Sequence, residues 1–166
     1  MEGGAPLFYV NARAIVERER EGKKEIIVQT RNKPNQPKQL ELPGGGVELF
    51  ESLTDALRRE VKDETGLDVT WIEGEETRID TEGVHSNIVE CIRPFAAYQT
   101  LKGGIDSVGY YFICKAEGEL LQDGDCTHNP RWVAVDEIAE RIQGDPTQFI
   151  SIDCAAILFY LKHRVS

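Results

Sequence analysis

Apolar residues fall in short runs along the first part of the chain. The segments LFYVNARAIVER (7–18) and KKEIIVQTR (23–31) are rich in β-branched and aromatic residues, and a charged turn at Glu21 and Gly22 separates them. Runs of this composition between turn residues are typical of β-strands. The pattern therefore predicts two strands, followed by a loop with two prolines and a short strand, LEL (40–42).

The second half of the chain repeats this pattern and adds helices. Further strands are predicted over DVTWIEG (68–74), NIVECIRPFAAYQTL (87–101), SVGYYFICKAEGEL (107–120) and RWVAV (131–135), with KGGID (102–106) as a hairpin between the middle two. Asp136 opens a short predicted helix, and a C-terminal helix is predicted from about Pro146 to Arg164. Strands thus flank one central helix and precede others, which predicts an α/β/α sandwich with a mixed β-sheet.

The central helix, predicted from Ser52 to Thr65, has clear boundaries. Ser52 followed by Asp55 resembles a capping box, and Gly66 occupies the position where helices commonly end in a glycine. At about 100° per residue, one stripe of this helix collects apolar residues and acids together. Its members are Leu53, Ala56, Leu57, Glu60 and Glu64, with Asp63 at its edge.

Acids on the apolar stripe need an explanation, because the opposite face, with Asp55, Arg58 and Lys62, already suits solvent. A pair of glutamates four residues apart is usually part of a solvated helix surface. Carboxylates that face a core are costly unless they are paired or bound to metal. The placement of Glu60 and Glu64 therefore indicates a metal-binding face.

A glycine-rich segment, Pro43-Gly44-Gly45-Gly46, precedes this helix. It predicts a tight turn whose backbone approaches a ligand without interference from Cβ atoms. A Walker A loop is excluded because no G-K-[ST] follows the glycines. Carboxylates beside such a loop suit hard cations such as Mg²⁺ or Mn²⁺, and suit zinc poorly.

Composition limits the class of protein. With 166 residues and 40% hydrophobic content, the chain is expected to form one domain over residues 1–166. The net charge of −10 argues against binding to a nucleic acid polymer. An acidic protein can still bind an anionic small molecule when a divalent cation mediates the contact.

The sequence leads us to expect no signal for export or membrane insertion. The N-terminal segment MEGGAPLFYV lacks the features of a secretory signal, and the longest apolar run, CAAILFYL (154–161), is too short to cross a bilayer. Four cysteines without a C-x-x-C pair indicate free thiols in a reducing compartment. We therefore expect a cytoplasmic protein without a membrane partner, and leave a homodimer open.

The glycine segment and the central helix together resemble the Nudix box, the signature of hydrolases that cleave nucleoside diphosphates linked to another moiety. The pattern G-x5-E-x7-R-E-U-x-E-E-x-G-U, where U is a bulky aliphatic residue, is met by Gly45, Glu51, Arg59, Glu60, Val61, Glu64, Gly66 and Leu67. Asp63 stands in place of the first glutamate of the pair, and Phe50 in place of a frequent glycine. The order of strands and helices is similar to the Nudix fold across nearly the whole chain.

The resemblance implies a role for each matching residue. Glu60 and Glu64, with Asp63 beside them, would ligate Mg²⁺ or Mn²⁺ together with the main-chain carbonyl of Gly44. Arg59 would orient Glu51. The candidate substrate contacts are Gly45 and Arg31, the latter at the end of the second predicted strand.

The chemistry of such a site can be argued from its residues. Bound cations neutralise adjacent phosphates and lower the pKa of a water, and a carboxylate accepts the proton of that water. Glu60 is the first candidate for this base, with Glu64 and Glu51 as ligands or helpers. The alternative is a residue of the loop LLQDGDCTHNPRW (120–132), which offers Asp123, Asp125 and His128.

The substrate is inferred by elimination. The downstream residues typical of ADP-ribose, dinucleoside polyphosphate, coenzyme A and NADH hydrolases are missing, which favours a MutT-like nucleoside triphosphate pyrophosphatase. Three other functions stay open: hydrolysis of another nucleoside diphosphate derivative such as ADP-ribose, a nucleotide-sensing Nudix domain without turnover, and a diphosphate isomerase of related fold. The sensing module often loses acids of the box, and the isomerase needs a catalytic cysteine and glutamate that are not located here.

Overall fold

A computed structural model describes residues 8–165. The start of the first predicted strand and most of the segment searched for a signal peptide lie outside these residues. The strands are β1 Phe8–Arg20, β2 Lys23–Arg31, β3 Leu40–Glu41, β4 Gly44–Gly46, β5 Asp68–Ile72, β6 Ile79–Asp80, β7 Glu90–Cys91, β8 Ala96–Gln99, β9 Asp106–Glu117, β10 Asp123–Gly124 and β11 Thr127–Ala134. The α-helices are α1 Leu53–Thr65, α2 Val135–Gly144 and α3 Ser151–Tyr160.

Nine of the strands form one curled sheet with the order β10-β11-β2-β1-β9-β5. The short strands β3, β4 and β8 pair with β2, β1 and β9, respectively. β1 and β9 are parallel, whereas the other pairs in this sheet are antiparallel. The predicted mixed sheet is therefore confirmed.

Helices cover both faces of this sheet because the strands present apolar side chains on both. On one face, α1 packs against a cluster that includes Ala12, Ala14, Val16, Ile27, Phe112 and Cys114. On the other face, α2 and α3 pack against a cluster that includes Ile15, Ile26, Val28, Tyr111 and Ile113. The α/β/α sandwich predicted from the sequence is thus confirmed.

The boundaries of α1 agree with the sequence prediction. The Ser52 side chain accepts a hydrogen bond from the main-chain N–H of Asp55, and Gly66 ends the helix with a φ of 83°. Helix α2 begins at Val135, one residue before the predicted Asp136. The predicted C-terminal helix is divided into a 3-10 turn at Pro146–Gln148, α3, and a π-helical turn at Leu161–Val165.

Two expectations about strands were wrong. The segment 87–101 is not one strand: its first part contains β7, which pairs with the earlier β6 in a separate two-stranded sheet. Strand β8 begins only after Pro94, which has no N–H to donate to a sheet. The glycine segment 44–46 is not a tight turn but the extended strand β4, which pairs with residues 11–13 of β1. This pairing draws the glycines onto the sheet, next to α1.

The structure adds two facts, one about the cysteines and one about the helices. The four cysteines are free thiols, of which Cys91 and Cys126 are exposed. Among residues 8–165, no helix has the length and apolar character needed to cross a bilayer.

Candidate active site

Two glutamates of α1 lie directly against the glycine strand. The main-chain N–H of Gly44 donates a hydrogen bond of 2.7 Å to Oε1 of Glu64. A Cβ atom on Gly45 would lie 2.7 Å from the carboxyl carbon of Glu60. The two carboxylates are therefore placed on consecutive residues of β4, and the close approach of Glu60 requires a glycine at position 45.

Glu64 is the more deeply buried of the two, with 7% of its surface exposed. Burial is the largest influence on its carboxyl group, and the pKa of Glu64 is raised to about 8. The cation of Arg13 and the hydrogen bond from Gly44 lower this pKa, whereas the carboxylates of Glu41 and Glu60 raise it further. The negative charge of Glu64 is thus costly in the metal-free protein, and a bound cation would relieve that cost.

Arg59 holds the acid at the start of the helix. Its guanidinium donates hydrogen bonds of 2.8 and 2.9 Å to the two carboxylate oxygens of Glu51. It also donates to Oε1 of Glu60 at 2.8 Å and to the carbonyl oxygen of Gly46 at 3.0 Å. The hydrogen bonds from Arg59 are the main reason that the pKa of Glu51 is lowered to about 2. Arg59 thus contacts both carboxylate oxygens of Glu51, and its role in the reaction stays a prediction.

The loop before α1 places Phe50 in an unusual conformation. The N–H of Glu51 donates to the carbonyl of Glu48 at 3.1 Å, and the N–H of Glu48 donates to the Glu51 carboxylate at 3.0 Å. Phe50, inside this turn, has a φ of 60° and a fully exposed side chain. Such a φ is strained for a residue with a Cβ atom. This explains why glycine is frequent at this position of the box.

The predicted face of α1 needs a small adjustment. Ala56, Leu57 and Glu64 are buried as the periodicity predicts, and Val61 is buried with them. Leu53 and Glu60 are only half-buried. The apolar stripe therefore faces the sheet, and Glu60 lies at its border, where solvent can reach it.

The hairpin of β10 and β11 packs against the C-terminal end of α1. The N–H of Asp125 donates to the carbonyl of Asp63 at 3.2 Å, and the hydroxyl of Thr127 donates to the carbonyl of Glu64 at 3.2 Å. A Cβ atom on Gly124 would lie 2.1 Å from that same Glu64 carbonyl oxygen. The hairpin thus provides donors for carbonyls that lack partners within the helix.

The acids of this region lie at the surface. Asp63 and Asp125 are exposed. Asp123 forms a hydrogen bond with Nδ1 of His128, its partner across the hairpin. Asp63 thus lies at the exposed end of α1, and Asp123 and His128 are bonded to each other. Their contact with a metal or a substrate stays a prediction.

Arg31 is paired within the protein and only 22% of its side chain is exposed. It donates to Oε2 of Glu41 at 3.1 Å and to Oε1 of Gln36 at 2.9 Å. Burial raises the pKa of Glu41. Gln29 donates to Glu41 at 3.3 Å, while its own Oε1 is buried and has no partner within the described part of the chain. The predicted contact of Arg31 with phosphate is not tested by this arrangement.

Sequence reasoning missed a buried polar cluster behind the glycine strand. Asp153 of α3 is fully buried and accepts hydrogen bonds of 2.9 and 3.0 Å from Arg13 of β1, and another from the hydroxyl of Tyr111. A signal was available, because Arg13 is the lone charge in NARAIV and Asp153 the lone charge in SIDCAAIL. Buried charges are normally paired, so two isolated opposite charges predict each other.

The residues around β4 suit a hard divalent cation. Within residues 8–165, no three side chains of His, Cys, Asp or Glu are gathered into a ready-made metal site. Mg²⁺, however, is usually held by one or two carboxylates and completes its shell with waters and substrate phosphates. Glu60 and Glu64 supply two such carboxylates, and the high pKa of Glu64 reflects a buried anion without sufficient compensation.

The chain was compared with a family model, with curated proteins and with solved structures. The model of the NUDIX domain matches residues 8–151. No curated protein matches the chain. Among solved structures, the E. coli ORF135 protein is similar at 18% identity and a TM-score of 0.62, covering 95% of this chain and 93% of that protein.

Two further structures share the fold. A MutT NUDIX hydrolase from Burkholderia pseudomallei is 20% identical, with a TM-score of 0.53 over 78% of this chain and 85% of that protein. An Ap4A hydrolase from C. elegans is 18% identical, with a TM-score of 0.54 over 80% and 84%. Because the domain model spans most of the chain, including β4 and α1 with their paired acids, this protein belongs to the Nudix hydrolase family and is a pyrophosphohydrolase.

Proposed function

We propose that the protein hydrolyses the diphosphate linkage of nucleoside diphosphate derivatives with the help of Mg²⁺ or Mn²⁺, and that nucleoside triphosphates are its substrates. The observation that carries this proposal is that the carboxyl groups of Glu60 and Glu64 lie against the backbone of Gly45 and Gly44, respectively. Two acids on one side of a helix, at the backbone of an edge strand, provide oxygen ligands for a hard cation. The nucleotide is the expected partner of that cation, since its phosphates need neutralisation.

The proposed roles in the site are those of cation ligands and of an arginine that positions them. Glu60 and Glu64 hold the cation with the carbonyl of Gly44, and a cation bound there supplies charge neutralisation and a water of lowered pKa. Asp63 is the weakest candidate ligand, because its side chain is exposed at the end of α1. Arg59 fixes Glu51 and contacts Glu60, so it sets the position of both acids.

Glu60 is the proposed general base. A general base must lie within reach of the water that it deprotonates and must be able to accept a proton. The pKa of Glu51, lowered to about 2 by Arg59, makes Glu51 a poor proton acceptor at neutral pH. Glu60 is half-buried and lies at the border of the site, where a water molecule has access to it. Arg31 and the backbone of Gly45 are the proposed contacts to the substrate.

The choice of nucleoside triphosphates over other derivatives comes from the sequence. The chain lacks the downstream residues that accompany the box in hydrolases of ADP-ribose and dinucleoside polyphosphates. Similar structures include a MutT hydrolase and an Ap4A hydrolase, both below 25% identity. Such likeness supports the fold and leaves the substrate to experiment.

A substrate panel tests this proposal. Purified protein is incubated with nucleoside triphosphates, ADP-ribose and diadenosine tetraphosphate, in Mg²⁺, Mn²⁺ or excess chelator, and the release of pyrophosphate and phosphate is followed. We expect pyrophosphate from the triphosphates only when metal is present. Turnover that persists unchanged in chelator would contradict the metal requirement, and faster cleavage of ADP-ribose would reassign the substrate. Binding of nucleotide without any turnover would identify a sensing module instead.

A further inference from the structure

Behind the glycine strand, a buried ion pair contacts the segment that leads to Gly44, whose carbonyl is a proposed metal ligand. Arg13 of β1 and Asp153 of α3 are 4% and 0% exposed, respectively. Arg13 donates to Oδ1 of Asp153 through Nε at 2.9 Å and to Oδ2 through Nη2 at 3.0 Å. This two-point contact fixes the plane of the guanidinium and leaves it with one orientation.

The same pair holds both main-chain polar groups of Leu42. Nη2 of Arg13 donates to the carbonyl of Leu42 at 2.6 Å, and the N–H of Leu42 donates to Oδ2 of Asp153 at 2.8 Å. Leu42 precedes Pro43 and Gly44, so the chain enters β4 from a residue whose peptide groups are held by two opposite charges. Tyr111 donates its hydroxyl to Oδ1 of Asp153, which also accepts from Nε of Arg13.

Gly44 itself also lies against Arg13. Gly44 pairs with Arg13 across β1 and β4, and its φ of 149° suits only a residue without a Cβ atom. A Cβ atom there would lie 2.6 Å from the Cα of Arg13. The N–H of Gly44 then reaches Oε1 of Glu64 at 2.7 Å. A continuous set of contacts therefore runs from Asp153 through Arg13 and Gly44 to Glu64.

We propose that Arg13 and Asp153 are positioning residues for the metal site: they hold the Leu42–Gly44 segment where its backbone fixes Glu64 and presents the Gly44 carbonyl. The inference rests on the proposed role of Gly44 and Glu64 in binding a divalent cation. It adds that the C-terminal helix, distant in sequence from the Nudix box, controls the affinity for that cation. Partners that orient metal ligands typically change metal affinity or activity by about 10–100-fold when they are removed.

The chain contains a matched control for this pair. Glu17 lies four residues after Arg13 on the same strand and is 6% exposed. It accepts hydrogen bonds from the hydroxyl of Tyr160 and, at 3.1 and 2.9 Å, from Arg164. Glu17 thus ties β1 to the C-terminal region through an arginine and a tyrosine, as Asp153 does. None of the described hydrogen bonds of Glu17 involves the Leu42–Gly44 segment.

The test compares Asp153→Asn with Glu17→Gln. Asp153→Asn leaves the buried Arg13 beside a neutral partner, and Glu17→Gln leaves the partly exposed Arg164 beside one. We expect both variants to lower the melting temperature in chelator. The discriminating readouts are the dissociation constant of Mn²⁺ alone, measured by calorimetric titration, and the rise in melting temperature at saturating Mn²⁺. We expect Asp153→Asn to weaken Mn²⁺ binding by about 10–100-fold, and Glu17→Gln to bind Mn²⁺ like the parent.

A gentler pair of variants serves if Asp153→Asn does not fold. Tyr111→Phe removes one hydrogen bond from Asp153, and Tyr160→Phe removes the corresponding one from Glu17. We expect weaker Mn²⁺ binding for Tyr111→Phe only. The positioning role would be overturned if the parent binds Mn²⁺ and the two variants of each folded pair bind it with equal affinity. Arg13 and Asp153 would then only fasten α3 to the sheet. A parent protein that binds no Mn²⁺ would instead overturn the proposed function, and this inference with it.

Discussion

Glu60 and Glu51 both contact Arg59, and Glu60 is the one proposed as the general base. Glu51 receives two hydrogen bonds from Arg59, which lower its pKa to about 2. Replacement of Glu60 by glutamine keeps the shape of the side chain and removes its charge. We expect Glu60→Gln to reduce kcat by ~10²–10⁴-fold, the usual effect of a general base. Pyrophosphate release at saturating metal measures this, and a decrease of only a few-fold would move the base to the loop that contains Asp123 and Asp125.

Arg59 tests how the two acids are held in place. Arg59→Ala removes the hydrogen bonds to Glu51, Glu60 and the carbonyl of Gly46, so we expect activity to fall by about 10–100-fold. Arg58→Ala is the matched control, because Arg58 pairs with Glu75 on another side of the helix. We expect it to retain nearly the activity of the parent. Full activity in Arg59→Ala would show that the arginine of the box has no positioning role here.

At the scale of single residues, helical periodicity predicted that Glu60 and Glu64 share the side of α1 that carries its apolar residues. Glu51 and Arg59 were singled out by the resemblance to the Nudix box, and their contact agrees with it. The environment of Arg31 could not be predicted in this way. Its partner Glu41 is ten residues away, and their contact depends on the pairing of β2 with β3.

At the scale of elements, the contact between β4 and α1 brings the glycine backbone against Glu60 and Glu64. Gly45 lies against Glu60, whereas a Cβ atom on the neighbouring Gly46 would meet nothing within 4 Å. We therefore expect Gly45→Ala to displace the Glu60 carboxylate and to lower kcat by about 10²-fold, the scale reported for small misplacements of catalytic groups. Gly46→Ala should keep most of the activity. Similar kinetics for both variants would show that close contact with β4 does not position Glu60.

Predictions for whole elements succeeded where the signals were local and strong. The cap at Ser52, the glycine at 66 and the long apolar runs predicted α1, β1, β2 and β9 well. The glycine segment was misread as a turn, because its extended conformation depends on pairing with β1. The segment 87–101 was misread as one strand, since its apolar composition outweighed the effect of Pro94.

At the scale of the whole molecule, contacts distant in sequence join the two ends of the chain. Arg13 and Asp153 are 140 residues apart, and Glu17 and Arg164 are 147 apart. The lone charges of NARAIV and SIDCAAIL mark candidates for a buried pair, but the periodicity within each segment does not show that they meet. For this reason the sequence predicted the layers of the fold and the acids of the box, but not the buried cluster behind them.

The placement of Glu64 makes the stability of the whole protein depend on pH and metal. Its pKa is about 8 in the folded protein, above its ordinary value of 4.5. A pKa raised by folding favours the folded state at low pH, and this contribution is lost as the pH rises through about 8. In chelator, the parent should therefore lose stability between pH 4.5 and 8, by a few kcal/mol at most, since one pKa unit corresponds to about 1.4 kcal/mol. Glu64→Gln should lack this loss.

The central claim is that these acids serve metal binding at the expense of stability. It is tested by measuring the melting temperatures of the parent and of Glu64→Gln, in chelator and across a Mn²⁺ titration at pH 8. In chelator, the variant should be at least as stable as the parent, because the buried charge is gone and glutamine still accepts the hydrogen bond from Gly44. With Mn²⁺, the parent should gain stability by RT ln(1 + [L]/Kd), and the variant much less. If Glu64→Gln instead melts several degrees lower in chelator and gains as much from Mn²⁺ as the parent, Glu64 is a structural residue and the metal-binding face of α1 is contradicted.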